Sequence, residues 1–234
     1  MHALAKLTTV ETKLLLREPG SLVSVLIPLF FLIVFGASTP KNDTVLLPMG
    51  MAIAVGLIGL YLLPTTLAGY RERGILRRLS TTPVRPGYLL AVQLLLQLVL
   101  LAAATALQLT VAGGVLGIHL PARALPVVLV CALGTAAMFA VGLLIAALAP
   151  NGRAANGIGV LLYFPMAYLA GLIQPVAQMP ANLARIGEFT PLGAFRAGLH
   201  QAWSGQAPDL LPLVLLAVYT VVISAVAARC FRWE

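Results

Sequence analysis

Six long stretches of this 234-residue chain contain no Asp, Glu, Lys or Arg: residues 20–40, 44–70, 86–122, 124–152, 154–184 and 210–228. A helix needs roughly 20 apolar residues to cross a hydrocarbon core about 30 Å thick, and every stretch is near or above that length. Lipid offers no partner for backbone N–H and C=O groups, so such a segment must satisfy its own hydrogen bonds as a helix. The expected fold class is all-α: a polytopic membrane protein, one transmembrane domain over 1–234. Its six spans are expected at 20–40, 44–69, 87–117, 125–149, 156–174 and 210–228. The composition agrees, with 60% hydrophobic and 9% charged residues, and leaves no length for a soluble catalytic domain.

The net charge of +8 would point to nucleic acid in a soluble protein. In a membrane protein the positive-inside rule explains it more simply, and no nucleic-acid partner is expected. With the N-terminus in the cytoplasm, eleven of the fifteen Lys and Arg fall inside: Lys6, Lys13, Arg17, Arg71, Arg73, Arg77, Arg78, Arg85, Arg153, Arg229 and Arg232. Only Lys41, Arg123, Arg185 and Arg196 fall outside. The expected location is the plasma membrane, multi-pass, with both termini cytoplasmic. The first uncharged run is too long for an ordinary signal-peptide core, and Phe35-Gly36-Ala37-Ser38 makes a poor cleavage site. Cys131 lies mid-span and Cys230 at a span end, so they are expected neither to pair nor to hold a metal.

Residues 1–18 are expected to form an amphipathic helix at the cytoplasmic interface. Lys6, Thr9, Lys13 and Arg17 recur at helical spacing, opposite Ala3, Leu7, Val10 and Leu14; the alternative is a frayed tail. Between spans five and six, Thr190-Pro191 reads as an N-cap followed by proline at the first helical position. Leu192, Phe195, Leu199 and Trp203 follow at helical spacing, and Gly205 stands where a C-cap glycine belongs. This short helix is expected at the outer interface, or dipping in and returning, with Trp203 at headgroup depth.

The chemistry that is missing narrows the function. All seven carboxylates (Glu11, Glu18, Asp43, Glu72, Glu188, Asp209 and Glu234) fall at or beyond the expected span ends. A proton-driven transporter uses ionisable groups inside the membrane, and His2, His119 and His200 are placed no better. No cluster of metal-ligating residues and no Gly-x-Ser-x-Gly turn is present. None of Lys6, Lys13 and Lys41 follows a glycine as a P-loop requires. The chain is therefore expected to be neither an enzyme nor the holder of a cofactor. A channel, a scaffold, or the membrane half of a transporter powered by another subunit remain. Gln93, Gln97 and Gln108 in the third span are expected to make interhelical hydrogen bonds.

Five arginines crowd the short gap between the second and third spans, which reads from Tyr70 to Pro86. A helix over residues 70–79 would put Ile75, Leu76 and Leu79 on one side and stack Arg73 on Arg77 elsewhere. Such a helix can dock into a cleft on a soluble partner. The alternative is that these arginines only set topology and hold anionic lipid, at about 1 kcal/mol each.

The order of residues in this loop is similar to the first cytoplasmic loop of ABC-2 type permeases: Glu72, Gly74, Leu76, Leu79 and Thr82-Pro83-Val84. Leu15-Leu16-Arg17-Glu18-Pro19 resembles the connecting helix of that family, and Pro28 sits where a proline in its first span is common. Pro175, Met179-Pro180, Pro191-Leu192 and Ala194-Phe195-Arg196 resemble its proline-marked segment before the last span. The resemblance covers the whole chain and is nearest in flavour to the daunorubicin-resistance type of bacterial drug exporter; the loop here is richer in arginine than in many relatives.

The resemblance implies a half-transporter. Two copies of the chain would pair, each above a cytoplasmic ATPase subunit that carries the ATP and Mg. Arg71, Glu72, Arg73, Ile75, Leu76, Arg77, Arg78 and Leu79 would couple to that subunit. The substrate pathway would lie at the dimer interface along spans two and five, where Tyr61, Thr65, Thr66, Tyr163, Phe164 and Tyr168 are available. Its cargo would be an amphipathic drug-like or lipid-like compound. A lipid-linked glycan permease, a passive channel and a membrane scaffold are the alternatives.

Overall fold

The structure, a computed structural model, describes residues 18–75, 86–121 and 123–230. The amphipathic helix expected over 1–18 therefore lies outside the described residues apart from Glu18, and so do Leu76, Arg77, Arg78 and Leu79. The described residues are all-helical, with no strand.

Helix α1 spans Pro19–Gly36 and α2 spans Leu46–Glu72, the latter passing through a π-helical turn at Ile58–Leu62. Helix α3 runs from Pro86 to Thr110 and ends in a second π turn, Val111–Val115, which contains the Gly113-Gly114 pair. Then come α4 (Ala124–Leu148), α5 (Gly152–Leu169), α6 (Ala181–Phe189), α7 (Pro191–Trp203) and α8 (Leu210–Cys230). By length and composition α1, α2, α3, α4 and α8 can each cross a membrane. The segment expected as the fifth span is shifted toward the N-terminus, to Gly152–Leu169. Asn151 caps it by accepting a hydrogen bond from the Ala154 N–H at 2.7 Å. The helix thus begins at Gly152, four residues before the start expected for the span. Including Arg153 and Asn156 lowers the mean hydropathy of α5, and it is not among the five.

Helix α2 is the axis of the domain: 83% of its most apolar window is buried, against 28% for α1 and 17% for α8. Its π turn has a local cause. Pro64 has no N–H to give the Leu60 carbonyl four residues earlier, and the ladder shifts by one residue, with the Leu63 N–H reaching the Ile58 carbonyl. The widened turn exposes carbonyls that neighbouring helices approach through glycine. A Cβ on Gly142 of α4 would collide with the Gly59 carbonyl, and one on Gly159 of α5 with the Leu60 carbonyl. Small residues at such crossings let membrane helices approach backbone to backbone. The spacing of α4 and α5 from α2 is set there.

The segment between α5 and α8 is built differently from the expected single interfacial helix. It forms two helices, α6 and α7, joined at Thr190. The Thr190 hydroxyl accepts from the Gly193 N–H at 3.1 Å, as expected for the cap, and Gly205 takes the left-handed φ of 81°. The stripe of Leu192, Phe195, Leu199 and Trp203 is buried in protein. It inserts among α4, α2 and α8, with the Phe195 ring occupying the space where Gly134 lacks a side chain. Trp203 is thus 4% exposed, not displayed at a surface.

The connections sort to two ends. At one end lie Glu18, the last turn of α2, and the α4–α5 turn. At the other, the His119 N–H donates to the Lys41 carbonyl at 2.8 Å, tying the α1–α2 and α3–α4 connections together. Asp43 caps α2 there through the Leu46 N–H at 2.6 Å.

Candidate functional site

The arginine-rich loop leaves the domain from the end of α2, and the sequence stops the helix abruptly. The Arg73 N–H still reaches the Gly69 carbonyl at 3.1 Å, but Gly74 turns to a φ of 65°. Only glycine adopts that conformation without steric cost. A continuous helix over residues 70–79 is therefore corrected: α2 ends at Glu72, and Gly74 separates it from the distal part of the loop.

Arg71 and Glu72 do not face away from the domain. The Arg71 guanidinium donates to the Ala147 carbonyl at 3.1 Å and also to the Ala149 carbonyl. These are among the last carbonyls of α4, which have no partner within their own helix. Glu72 accepts from the Gly152 N–H at 3.1 Å, at the first turn of α5. Each charge sits at the helix end whose dipole it complements, a cation at a C-terminus and an anion at an N-terminus, worth about 0.3–1 kcal/mol each at exposed positions. Backbone packing closes the same joint. An ideal Cβ on Gly152 would lie 3.2 Å from the Thr65 carbonyl oxygen and 3.4 Å from the Gly69 Cα. Two adjacent residues thus clasp both sides of the α4–α5 turn.

Arg73 takes a different route. Its Nε donates to the Gly69 carbonyl at 3.1 Å, and its guanidinium lies 5.6 Å from the centroid of the Tyr70 ring, within range of a cation–π contact. Burial holds the Glu18 carboxyl above its ordinary pKa, opposed by the charge of Arg73 and by the neighbouring Thr66 hydroxyl. Tyr70 is buried and its hydroxyl accepts from Gln93 Nε2 at 2.9 Å, linking α3 to α2. Ile75 is half-buried.

Of the three glutamines expected to bond between helices, Gln93 does so. Gln97 and Gln108 are buried, and their amide atoms make no hydrogen bond among the described residues. The side chains of the expected pathway do not converge within one chain. Tyr61 turns toward α1 and α3, beside Gly20, Leu62, Val92 and Leu96. The Thr65 and Thr66 hydroxyls donate to their own helix, to the Tyr61 and Leu62 carbonyls at 2.6 and 2.9 Å. Tyr163 lies on α2 at Gly56, with Phe164 edge-on to it at 5.7 Å and 57% exposed. Tyr168 donates to Gln174 Oε1 at 3.1 Å, beyond the end of α5.

The residues missed by sequence reasoning are Asn151, Gly152 and the carbonyls of Ala147 and Ala149. Asn151-Gly152 carries a helix-start signal in its N-cap residue type; carbonyl partners carry none. Among the described residues no group of His, Cys, Asp and Glu could hold a metal ion.

No curated protein and no solved structure matches this chain. The family model for the ABC-2 type transporter matches residues 3–202. That match takes in α1 to α7 and the arginine-rich loop, the same segments that carry the resemblance, and the chain belongs to the ABC-2 type transporter family.

Proposed function

We propose that this chain is the membrane subunit of an exporter driven by a separate ATP-binding-cassette ATPase. Two copies pair, and each carries an ATPase beneath the arginine-rich loop, so that the end bearing Glu18, Arg71 and the α4–α5 turn is cytoplasmic. The observation that carries this reading is the family match over residues 3–202, which includes the loop. The loop emerges from α2, the most buried of the five helices long and apolar enough to cross a membrane, so a force applied to it acts on the centre of the bundle. The exposed side of α5 carries Leu161 and Phe164, and it supports a pathway between the two copies in which α5 and α2 take part. The cargo is an amphipathic drug-like or lipid-like compound, as in the daunorubicin-resistance type.

Docking is assigned to the distal part of the loop, with Leu76 and Leu79 as the apolar contacts and Arg77 and Arg78 as the polar ones. The test is retention of the cognate ATPase on the tagged permease, with membrane abundance as the control. Replacing Leu76 and Leu79 by Ser removes burial worth roughly 1.5–3 kcal/mol each when complete and leaves the net charge unchanged. Loss of the ATPase at normal abundance is the expected result. Full retention overturns docking through this loop. Transport by the permease alone under a pH gradient, or a chain that binds an ATPase and moves nothing, would favour a secondary transporter or a scaffold.

A further inference from the structure

Charge alone would have the arginine-rich loop offer its side chains to the ATPase from its first arginine onward. The geometry separates the loop into two parts. Arg71, half-buried, and Glu72, exposed, turn their hydrogen-bonding groups back onto the domain, to partners 76 to 80 residues away. Gly74 lies two residues farther along, at a φ of 65°, and marks where the chain departs from α2.

We propose that Arg71 and Glu72 form a latch that carries movement of the loop into the α4–α5 turn, and that they are positioning residues rather than contacts for the ATPase. The proposal rests on the exporter reading above. Three features support it. The latch is bidentate in kind: one guanidinium spans two carbonyls at the end of α4, that of Ala147 in its last turn and that of Ala149 just beyond it, which a planar fork of donors can do. It is bilateral, because the neighbouring carboxylate holds the first amide of α5. And it cannot slide, because Gly152 lies against the Thr65 carbonyl and the Gly69 backbone with no side chain between them.

Consider a displacement of the loop toward or away from the membrane. If α2 moved alone, the three hydrogen bonds would break, and the last carbonyls of α4 and the first amide of α5 would lose their partners. If the turn moved with α2, all three would persist. The second course costs less, so α2, α4 and α5 receive the stroke together. Through the glycine contacts at Gly142 and Gly159, the same three helices also meet at the π turn deeper in the bundle. The joint at the helix ends and the joint at the π turn make them one lever.

The test uses the full complex of permease and ATPase in lipid. Arg71→Lys supplies charge but no fork, and Glu72→Ala removes the acceptor; each is expected to retain the ATPase and lower transport per ATP hydrolysed by about tenfold, within the range of a typical coupling free energy. Glu72→Gln keeps an acceptor oxygen for the Gly152 N–H and is expected to recover most of the coupling. A role in charge-mediated docking predicts the reverse: Glu72→Gln as damaging as Glu72→Ala, with the ATPase lost on purification. That outcome, or wild-type transport per ATP in Arg71→Lys and Glu72→Ala, overturns the latch. A second measurement needs no variant. Amide exchange in the wild-type complex should change at residues 147–153 whenever nucleotide changes it at residues 70–75. A change confined to 70–75 also overturns the latch. Failure of the wild-type permease to hold an ATPase at all would instead overturn the exporter reading.

Discussion

Two glycines two residues apart on α5 allow the close packing at the π turn to be tested against helix propensity. Gly157 has no atom within 4 Å of where its Cβ would stand, whereas a Cβ on Gly159 would collide with the Leu60 carbonyl. Each Gly→Ala change brings the same gain in helix propensity, about 1 kcal/mol. At Gly157 that gain stands alone, so Gly157→Ala should stabilise the protein by about that amount. At Gly159 the obstacle is backbone in a helix that is itself enclosed, and it cannot swing aside as a side chain would. The cost belongs at the upper end of overpacking penalties, about 3 kcal/mol, leaving Gly159→Ala less stable than the wild type by about 2 kcal/mol. The two variants should then differ by about 3 kcal/mol, or roughly 6–12 °C in Tm for a chain of this size by the scaling of soluble proteins. Thermal loss of the monodisperse species in detergent, followed by size exclusion, measures the difference. If both variants shift alike, or Gly159→Ala matches the wild type, then α5 does not touch the Leu60 carbonyl and the account of the π turn is wrong.

Three further outcomes are expected. A cysteine at Ala181 should be labelled from outside the cell and one at Ser80 should not; the opposite pattern inverts the topology. Burial, reinforced by Arg196 and opposed by Asp43, holds the His200 pKa below its ordinary 6.5. The unfolded chain then takes up the proton first, so stability should be flat above about pH 6.5–7 and decline as pH falls from about 6.5 through the lowered pKa; His200→Gln should remove that decline, and an unchanged profile would show that another group is responsible. Gln97 is buried without a hydrogen-bond partner among the described residues, and an unpartnered buried amide costs about 1–3 kcal/mol. Gln97→Leu should therefore raise the thermal midpoint; a fall would mean that the amide has a partner in the membrane.

Much of the fold was legible because membrane helices are specified by local composition. The uncharged runs locate α1, α2, α3, α4 and α8, although α3 with its π turn ends at Val115, seven residues before its run does; lipid penalises every charged side chain and every unpaired backbone group. The Thr190-Pro191 start of α7 and the glycine after its end were readable for a similar reason, each being a local conformational preference. The reading failed at α5, where Asn151 begins the helix before the polar residues end, and at Gly74, where a left-handed residue stops a helix that its neighbours would have extended. The π turn could have been anticipated from Pro64, which deprives Leu60 of its N–H partner, but not its grip by Gly142 and Gly159.

The sequence by itself determined the class of protein and its family: an all-helical membrane domain with a basic loop after its second apolar run. Each of these properties is carried by residue type and order along the chain. Tertiary structure alone decided what individual side chains do. Arg71 and Arg73 look equivalent in the loop, yet one clasps the end of α4 while the other folds back on its own helix beside Tyr70. Phe195 and Trp203 read as an interfacial stripe, yet α7 buries them against α4 and α8. The partners in these cases are backbone carbonyls and missing side chains dozens of residues away. A carbonyl is common to every residue, and the space above a glycine has no signature in the residue that fills it.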